Sequence, residues 1–328
     1  MKKTFSNIVK GFNNPASGSL IGLAIVIILA TTITQGQFLV TQNLTNVFRQ
    51  VTILGFASLG MCIVILTGNI DLSIIGNVSM TTVITAVLMQ RGISLPVIIL
   101  IVVISGMIVG LVNGLILNYW KIESFVVTMG MQVICFGMAM LISDSRTVVV
   151  DGERLMQYPF LTSLSQWKVT FIPGFLVIPV MFLILLAFYG LIYVFTTRSK
   201  MGRYIFALGG NEEVCFISGI KVSLVRIVAF VLSGMTAAVA GIFMFSRSVA
   251  GDPTAGSALG MYVVAAVVVG GTKMSGGRGN VLFTIIGIFV IGIINNVLNL
   301  VGAPYQYQQI IQGIIIISAV IISSPKRR

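Results

Sequence analysis

Side chains that carry enzyme chemistry are scarce in this 328-residue chain. It contains eight acidic residues, three cysteines and no histidine, which excludes histidine-based acid–base catalysis and histidine metal ligation. Cys62 and Cys135 lie inside apolar runs and Cys215 lies in a basic stretch, so their spacing fits neither a zinc site nor a disulfide framework. The P-loop motif G-x-x-x-x-G-K-[S/T] does not occur. We therefore expect no catalytic residue, no metal site and no bound cofactor.

A few polar residues interrupt the apolar runs and form the first candidate site. Asp71 is the only acidic residue directly between two such runs, and an ionisable group in that position is costly and commonly functional. Asp71 could line a translocation path, or it could cap the helix that follows, with Ser73 adjacent. The amides within the runs could likewise line a path, or they could join helices by hydrogen bonds, which is the commoner role. The path candidates are Asn69, Asp71, Ser73, Asn113, Asn295, Asn296 and Asn299.

The second candidate site is the basic stretch 198–226, which contains the sequence Gly-Gly-Asn-Glu-Glu. Asn211 is a good helix N-cap, and Glu212 and Glu213 would occupy the first turn, where carboxylates suit the positive end of the helix dipole. Gly219 would end this helix. The pattern predicts a short capped helix in a basic loop, which is either a docking element or an ordinary solvated loop helix.

The elements that must position these residues are apolar segments of membrane-spanning length. Hydrophobic residues make up 57% of the chain and charged residues 9%, and the mean hydropathy is +1.06. A soluble globular domain has about 45–50% apolar and about 25% charged residues, so a soluble enzyme is excluded. Since about 20 apolar residues cross the hydrocarbon core, we predict ten membrane-spanning helices. They lie at about Ser19–Thr34, Val51–Leu66, Leu72–Met89, Leu95–Leu117, Ser124–Ser143, Phe175–Thr197, Ile227–Ser246, Leu259–Gly271, Val281–Val301 and Gln309–Ser323.

The distribution of basic residues predicts the orientation of these helices. If the N-terminus lies inside and the chain crosses ten times, fourteen of the twenty Lys and Arg residues fall on the inside. This bias follows the positive-inside rule and predicts that both termini are cytoplasmic. The formal charge of +12 is then a signature of topology and not of nucleic-acid binding. The long hydrophilic segments become an external loop, 144–174, with the composition of a folded lid, and the cytoplasmic loop 198–226.

Small residues predict where the helices pack closely. When they recur every four positions they share one helix face, which lets two backbones approach each other in the membrane. We therefore expect the fourth and seventh spans to contact protein rather than lipid through these faces. The segment Met274–Gly279 predicts a tight glycine-rich turn. The two sets of small residues are Gly106, Gly110 and Gly114, and Ser233, Ala237 and Gly241.

Five motifs that follow one another between about residues 40 and 322 resemble those of the permease subunits of bacterial ABC sugar importers of the ribose type. Each motif alone is weak, but five in the same order are specific. They are T-G-N-I-D-L-S at Thr67–Ser73, G-R-Y-I-F-A-L-G-G-N-E-E at Gly202–Glu213 followed by Ser218–Ile220, P-T-A-G at Pro253–Gly256, A-A-V-V to G-G-T and G-G-R-G within Ala265–Gly279, and N-N-V-L-N-L with its glycine at Asn295–Gly302.

The resemblance implies an all-α integral membrane protein of about ten transmembrane helices, a permease bundle like that of type II importers, with residues 1–328 as one domain. It implies import of a monosaccharide by alternating access, driven by a separate ABC ATPase of double length and supplied by a periplasmic or lipid-anchored sugar-binding protein. The permease itself would do no covalent chemistry. It would sit in the bacterial inner membrane beside a second permease copy, identical or a paralogue. The implied coupling-loop residues are Gly202, Arg203, Gly209, Gly210, Asn211, Glu212, Glu213, Ser218, Gly219 and Ile220.

The chain departs from the resembling pattern at several positions. An acidic pair of the family corresponds here to Gly260 and Tyr262, which changes the expected charge near the external mouth. Asn69 and Val297 stand where the family has glycine. Val214 and Cys215 stand where the family has small residues after the two glutamates. The alternatives are a branched-chain amino acid permease of an ABC importer and an ion-coupled transporter in which Asp71 carries the ion. A polytopic membrane enzyme is disfavoured because the acidic residues are too dispersed.

Overall fold

The computed structural model describes residues 15–172 and 176–323. The terminal basic residues used for the orientation, Lys2, Lys3, Lys10, Lys326, Arg327 and Arg328, lie outside the described residues, as do positions 173–175 of the predicted external loop. Within the described ranges the fold is built almost entirely of helices. The helices are α1 (Pro15–Ile33), α2 (Thr41–Leu66), α3 (Ser73–Gln90), α4 (Leu95–Trp120), α5 (Ser124–Ile142), α6 (Gly152–Met156), α7 (Pro159–Ser163), α8 (Val180–Arg198), α9 (Lys200–Gly210), α10 (Glu212–Ile217), α11 (Val222–Ser248), α12 (Tyr262–Val269), α13 (Phe283–Leu300) and α14 (Tyr305–Ser323).

Each of the ten predicted membrane spans coincides with a helix. Seven helices of the described chain are long and apolar enough to cross a membrane, namely α2, α3, α4, α5, α8, α11 and the segment Val281–Leu300. The first and eighth predicted spans coincide with shorter apolar helices, Gly18–Ile33 and Ala255–Val269, and the last with α14. The eighth begins as a 3-10 turn at Ala255–Ala258. The prediction of an all-α membrane protein is confirmed.

The helix of the predicted sixth span begins five residues later than hydropathy indicates. Leu176–Pro179 forms strand β3, and α8 starts only at Val180. Pro179 explains the difference, because a proline favours extended backbone in the residue before it and is well placed immediately ahead of a helix. Strand β2, Lys168–Ile172, pairs with β3 in antiparallel register, with Lys168 opposite Pro179.

The bundle has two ends that differ in structure. At the hairpin end, β2 and β3 lie with α6, α7 and a second antiparallel pair, β1 (Val148–Val149) with β4 (Ala250–Gly251). The described part of the 144–174 loop is therefore folded, as its composition predicts. At the opposite end, the α9–α10 end, these two helices meet the glycine-rich turn between α12 and α13.

Helices α2, α3 and α11 form the centre of the bundle. The most apolar windows of these three helices are 89%, 78% and 61% buried, whereas those of α4 and α5 are 28% and 22% buried. The outward faces of α4 and α5 are apolar and suit lipid or a partner subunit. On its inner face α4 packs on α11 through the predicted small residues, since a Cβ on Gly106 would lie 2.5 Å from the carbonyl oxygen of Gly234. The predicted protein contact of these two faces is confirmed.

Candidate functional site

Asp71 is the centre of a buried polar cluster at the α9–α10 end. Its side chain is 1% exposed, and Oδ1 accepts hydrogen bonds from the backbone N–H of Ser73 at 3.0 Å and from its hydroxyl at 2.5 Å. Oδ2 accepts from the hydroxyl of Ser233 at 2.7 Å. Ser73 Oγ in turn accepts from Asn113 Nδ2 at 2.8 Å. One carboxylate therefore holds the start of α3 and ties it to α4 and α11.

No cation neutralises Asp71 among the residues that the structure describes, where the one ion pair joins Arg226 and Glu212. Asp71 lies in the turn between α2 and α3, where burial raises its pKa and the hydrogen bonds from Ser73 and Ser233 oppose that rise. Protein donors contact both oxygens, and the side chain is 1% exposed, so the carboxylate is engaged in contacts between helices. The cluster therefore joins the start of α3 to two neighbouring helices.

Two buried polar residues, Ser233 of this cluster and Asn77 one turn further along α3, are absent from the sequence-based candidates. Ser233 appears there only as a small residue of the α11 face, and Asn77 lies unmarked in an apolar stretch. Asn77 is fully buried and its Nδ2 donates to the carbonyl oxygen of Gly234 at 3.2 Å. Its Oδ1, like that of Asn113, has no partner in the described part of the chain. The available signal for Asn77 was an amide in the middle of a predicted span.

Helix α10 is the capped short helix that the sequence predicts. Asn211 Oδ1 accepts from the N–H of Val214 at 3.0 Å, Glu212 and Glu213 occupy the first turn, and Gly219 follows the helix with φ +76°. Its outward side chains are apolar and exposed, because no helix among the described residues covers them. They are Val214 (51% exposed), Phe216 (73%) and Ile217 (76%).

Arg226 of α11 fastens α10 to the bundle. It pairs with Glu212 at 2.6 Å and donates to Asn118 Oδ1 of α4 at 2.9 Å. Cys215 is buried on the inner side of α10, and burial followed by the charge of Glu212 raises the pKa of its thiol. Helix α10 thus presents an apolar outer face and is held on its inner face.

A junction of glycines connects α9 to the end of α2. Gly209 approaches the carbonyl oxygen of Leu66 so closely that a side chain would overlap it, and the N–H of Gly277 donates to that same oxygen at 3.0 Å. A Cβ on Gly276 would meet Gly68 and Gly209 at 2.7–2.8 Å. The predicted tight turn at Met274–Gly279 is confirmed, since Gly276 and Gly277 both have positive φ. We call these five residues, Gly68, Gly209, Gly210, Gly276 and Gly277, the glycine junction.

The remaining residues of the predicted coupling loop frame α9 and α10. Ser199 is the N-cap residue of α9, and its hydroxyl accepts a hydrogen bond from the backbone N–H of Gly202 at 2.9 Å. Arg203 is exposed and donates to the carbonyl oxygen of Arg198 at 3.3 Å. Ser218 is the C-cap residue of α10, and the N–H of Ile220 donates to the carbonyl oxygen of Cys215 at 3.0 Å. The structure therefore brings all these loop residues to one end of the bundle.

Two cavities lie at opposite ends of the bundle. A cavity of about 710 Å³ at the α9–α10 end lies between α10 and the α4–α5 turn, and Asn69, Lys121, Glu123 and Arg226 are on its wall. A cavity of about 370 Å³ at the hairpin end is bounded by α2, α11 and α13. Its polar wall consists of Gln50, Arg247, Ser248, Asp252, Tyr262, Asn295 and Asn299.

The structure thus separates the predicted path residues into three groups. Asn69 faces the first cavity, Asn295 and Asn299 face the second, and Asp71, Ser73 and Asn113 form the buried cluster. Asn296 instead exchanges two hydrogen bonds with Asn43, at 3.0 and 2.8 Å, and joins α13 to α2.

Comparison with known proteins identifies the family of the chain. The family model described as the permease component of the branched-chain amino acid transport system matches residues 43–320. The chain belongs to this permease family. It is 34% identical to the ribose import permease RbsC of Bacillus subtilis over 94% of this chain and 92% of that protein. It is 33% identical to the D-allose transport system permease AlsC of Escherichia coli, over 92% of this chain and 90% of that one. No solved structure matches.

Membership makes this permease a transport component rather than an enzyme, in a multi-pass arrangement in the bacterial inner membrane. The residues that differ from the family motifs have defined places in the structure. Tyr262, at one of the missing acidic positions, lies on the wall of the cavity at the hairpin end, and Gly260 precedes it with φ +39°. Val214 and Cys215 occupy the outer and inner faces of α10. Tyr262 therefore lies at the cavity of the hairpin end, and Val214 and Cys215 lie on α10.

Proposed function

We propose that this permease is the membrane subunit of an ATP-driven importer for a monosaccharide. The observation that carries the proposal is α10, a short helix with an exposed apolar face that Arg226 and the glycine junction fix to the bundle. A short helix with an exposed apolar face on a transport subunit could dock into a groove on the partner ATPase. The sugar class is supported by the relatives, whose names specify ribose and D-allose.

The α9–α10 end faces the cytoplasm in this proposal. Eight of the fourteen Lys and Arg residues in the described part of the chain lie at this end, in accord with the positive-inside rule. The hairpin end then faces outward, where a periplasmic or lipid-anchored sugar-binding protein would deliver the sugar. The outer apolar faces of α4 and α5 leave room for a second permease copy, which is the same chain or a paralogue.

Closure of the ATPase pair, formed by a double-length chain, would displace α10. Arg226 passes that displacement to α11, and the glycine junction passes it to the turn that carries Asn69 and Asp71. The two cavities are the ends of the path, and the cluster of Asp71, Ser73 and Asn113 closes the space between them. Alternating displacement would open one end at a time.

Reconstitution tests the function directly. The permease is placed in proteoliposomes with its partner ATPase and binding protein, and uptake of labelled D-ribose, D-allose and L-leucine is measured with and without ATP. Import of a sugar only with ATP supports the proposal. Leucine import would assign the chain to amino acids, and uptake that follows an ion gradient without ATP would favour an ion-coupled transporter.

A further inference from the structure

The cavity of about 370 Å³ at the hairpin end holds polar side chains that lack protein partners. Gln50 comes from α2, Arg247 from the last turn of α11 and Asn295 from α13. Within the described chain none of these three side chains makes a hydrogen bond or an ion pair. The contrast with the next residue is informative, since Asn296 is paired with Asn43.

Packing alone does not explain three unpaired polar groups on one wall. Apolar side chains would seal the contact between α2, α11 and α13 at no desolvation cost, whereas unpaired amide and guanidinium groups must stay hydrated. The carboxylate of Asp252 also lines the cavity, but its Oδ1 accepts from the N–H and the hydroxyl of Thr254 at 2.7 and 2.8 Å. The groups left for a solute include the carboxamides of Gln50 and Asn295, the guanidinium of Arg247 and one carboxylate oxygen of Asp252.

We propose that this cavity is a monosaccharide-binding subsite within the permease, which the sugar occupies after it leaves the external binding protein. The inference rests on the proposed function and adds a second point of selection to it. The guanidinium of Arg247 would donate to neighbouring hydroxyls, and Gln50 and Asn295 would each donate and accept. The volume lies within the range of about 300–1,000 Å³ that is usual for small-molecule sites.

The chemistry of the wall favours a sugar over an amino acid. An amino acid could place its carboxylate at Arg247 and its ammonium at Asp252, but it would leave both carboxamides without partners. A sugar carries a hydroxyl on nearly every carbon and can satisfy all of these groups, which is the condition for replacing bound water without loss of affinity.

The first experiment measures uptake kinetics in the reconstituted importer. Arg247→Met should raise the KM for the imported sugar about tenfold or more, because a hydrogen bond from a charged group is lost, and Gln50→Leu and Asn295→Leu about fivefold each. Arg247→Lys should recover part of the loss. Arg91→Met is the matched control, since Arg91 is an exposed arginine of the hairpin end away from the cavity, and its KM should stay unchanged.

The second experiment needs neither transport nor ATP. The three native cysteines are buried, so Asn295→Cys would introduce the reactive thiol of the hairpin end. A membrane-impermeant maleimide should alkylate it several-fold more slowly in the presence of D-ribose or D-allose. Gly152→Cys is the control, because a Cβ at Gly152 would meet no described atom within 4 Å. Its alkylation rate should be the same with and without the sugar.

The outcomes separate the two claims. If the wild-type importer transports a sugar but the KM of Arg247→Met is unchanged and Asn295→Cys is unprotected, the subsite is wrong and the proposed function stands. Protection by L-leucine and not by sugars would overturn the sugar chemistry of the cavity. If no sugar is imported and no sugar protects the thiol, both the proposed function and the subsite are wrong.

Discussion

The contact between α9 and the end of α2 can be tested by adding a single methyl group at Gly209. In Gly209→Ala the new Cβ would overlap the carbonyl oxygen of Leu66 and lie 3.0 Å from the carbonyl carbon of Gly276. Both neighbours are backbone atoms, so no side-chain rotamer can relieve the overlap. The end of α9 must move away from the end of α2, which also moves α10.

The adjacent residue provides a matched control. A Cβ on Gly210 would meet no atom of the described residues within 4 Å. Both changes gain at most about 0.5–1 kcal/mol of helix propensity, so this term largely cancels in the comparison. Overpacking of a tight contact costs about 1–3 kcal/mol, and this is the expected difference in unfolding free energy between Gly209→Ala and Gly210→Ala.

The assay has a stability readout and a coupling readout. Thermal unfolding in detergent should place Gly209→Ala below Gly210→Ala, and the sugar imported per ATP hydrolysed should fall for Gly209→Ala alone. Equal unfolding temperatures would show that the glycine junction is not tightly packed. A destabilised Gly209→Ala that imports with the wild-type ratio would refute the transmission role while leaving the contact intact.

Three further predictions concern the cluster and α10. Asp71→Ala should lower the unfolding free energy by about 1–3 kcal/mol for each donor of Ser73 and Ser233 left unpaired, with a smaller loss for Asp71→Asn; equal stability of both variants would contradict it. Arg226→Met should reduce transport-coupled ATP hydrolysis without unfolding, whereas the exposed Lys221→Met should not. Cys215 should react with maleimide at neutral pH more slowly than an exposed cysteine and faster as the pH rises, because a raised pKa leaves less thiolate.

Local sequence patterns were sufficient for the helices and for α10. Hydropathy located the spans because each must be apolar over its length, and the Asn-Glu-Glu pattern located α10 because capping is local. Close packing of α4 on α11 was also predictable, since the spacing of small residues marks a helix face.

The partners of the polar residues were not predictable in this way. Asp71 binds Ser233 across 162 positions, and Asn296 binds Asn43 across 253, so both pairs depend on how the helices assemble. Asn295 and Asn296 look alike in the sequence, yet consecutive helix residues point about 100° apart. One therefore faces a cavity while the other joins two helices, and only the rotation of α13 decides which.

The way α10 is attached also bears on how the cavity at the hairpin end would open. Arg226 fixes α10 to α11, the glycine junction fixes it to the end of α2, and the hydrogen bond between Asp71 and Ser233 joins the start of α3 to α11. Helices α2, α3 and α11 should therefore move together when α10 is displaced. Helix α13 is joined to α2 by the Asn43–Asn296 pair, and the turn that precedes it carries Gly276 and Gly277 of the glycine junction. A displacement of α10 would therefore reach each of the three helices that carry Gln50, Arg247 and Asn295, the side chains that a bound sugar would bridge.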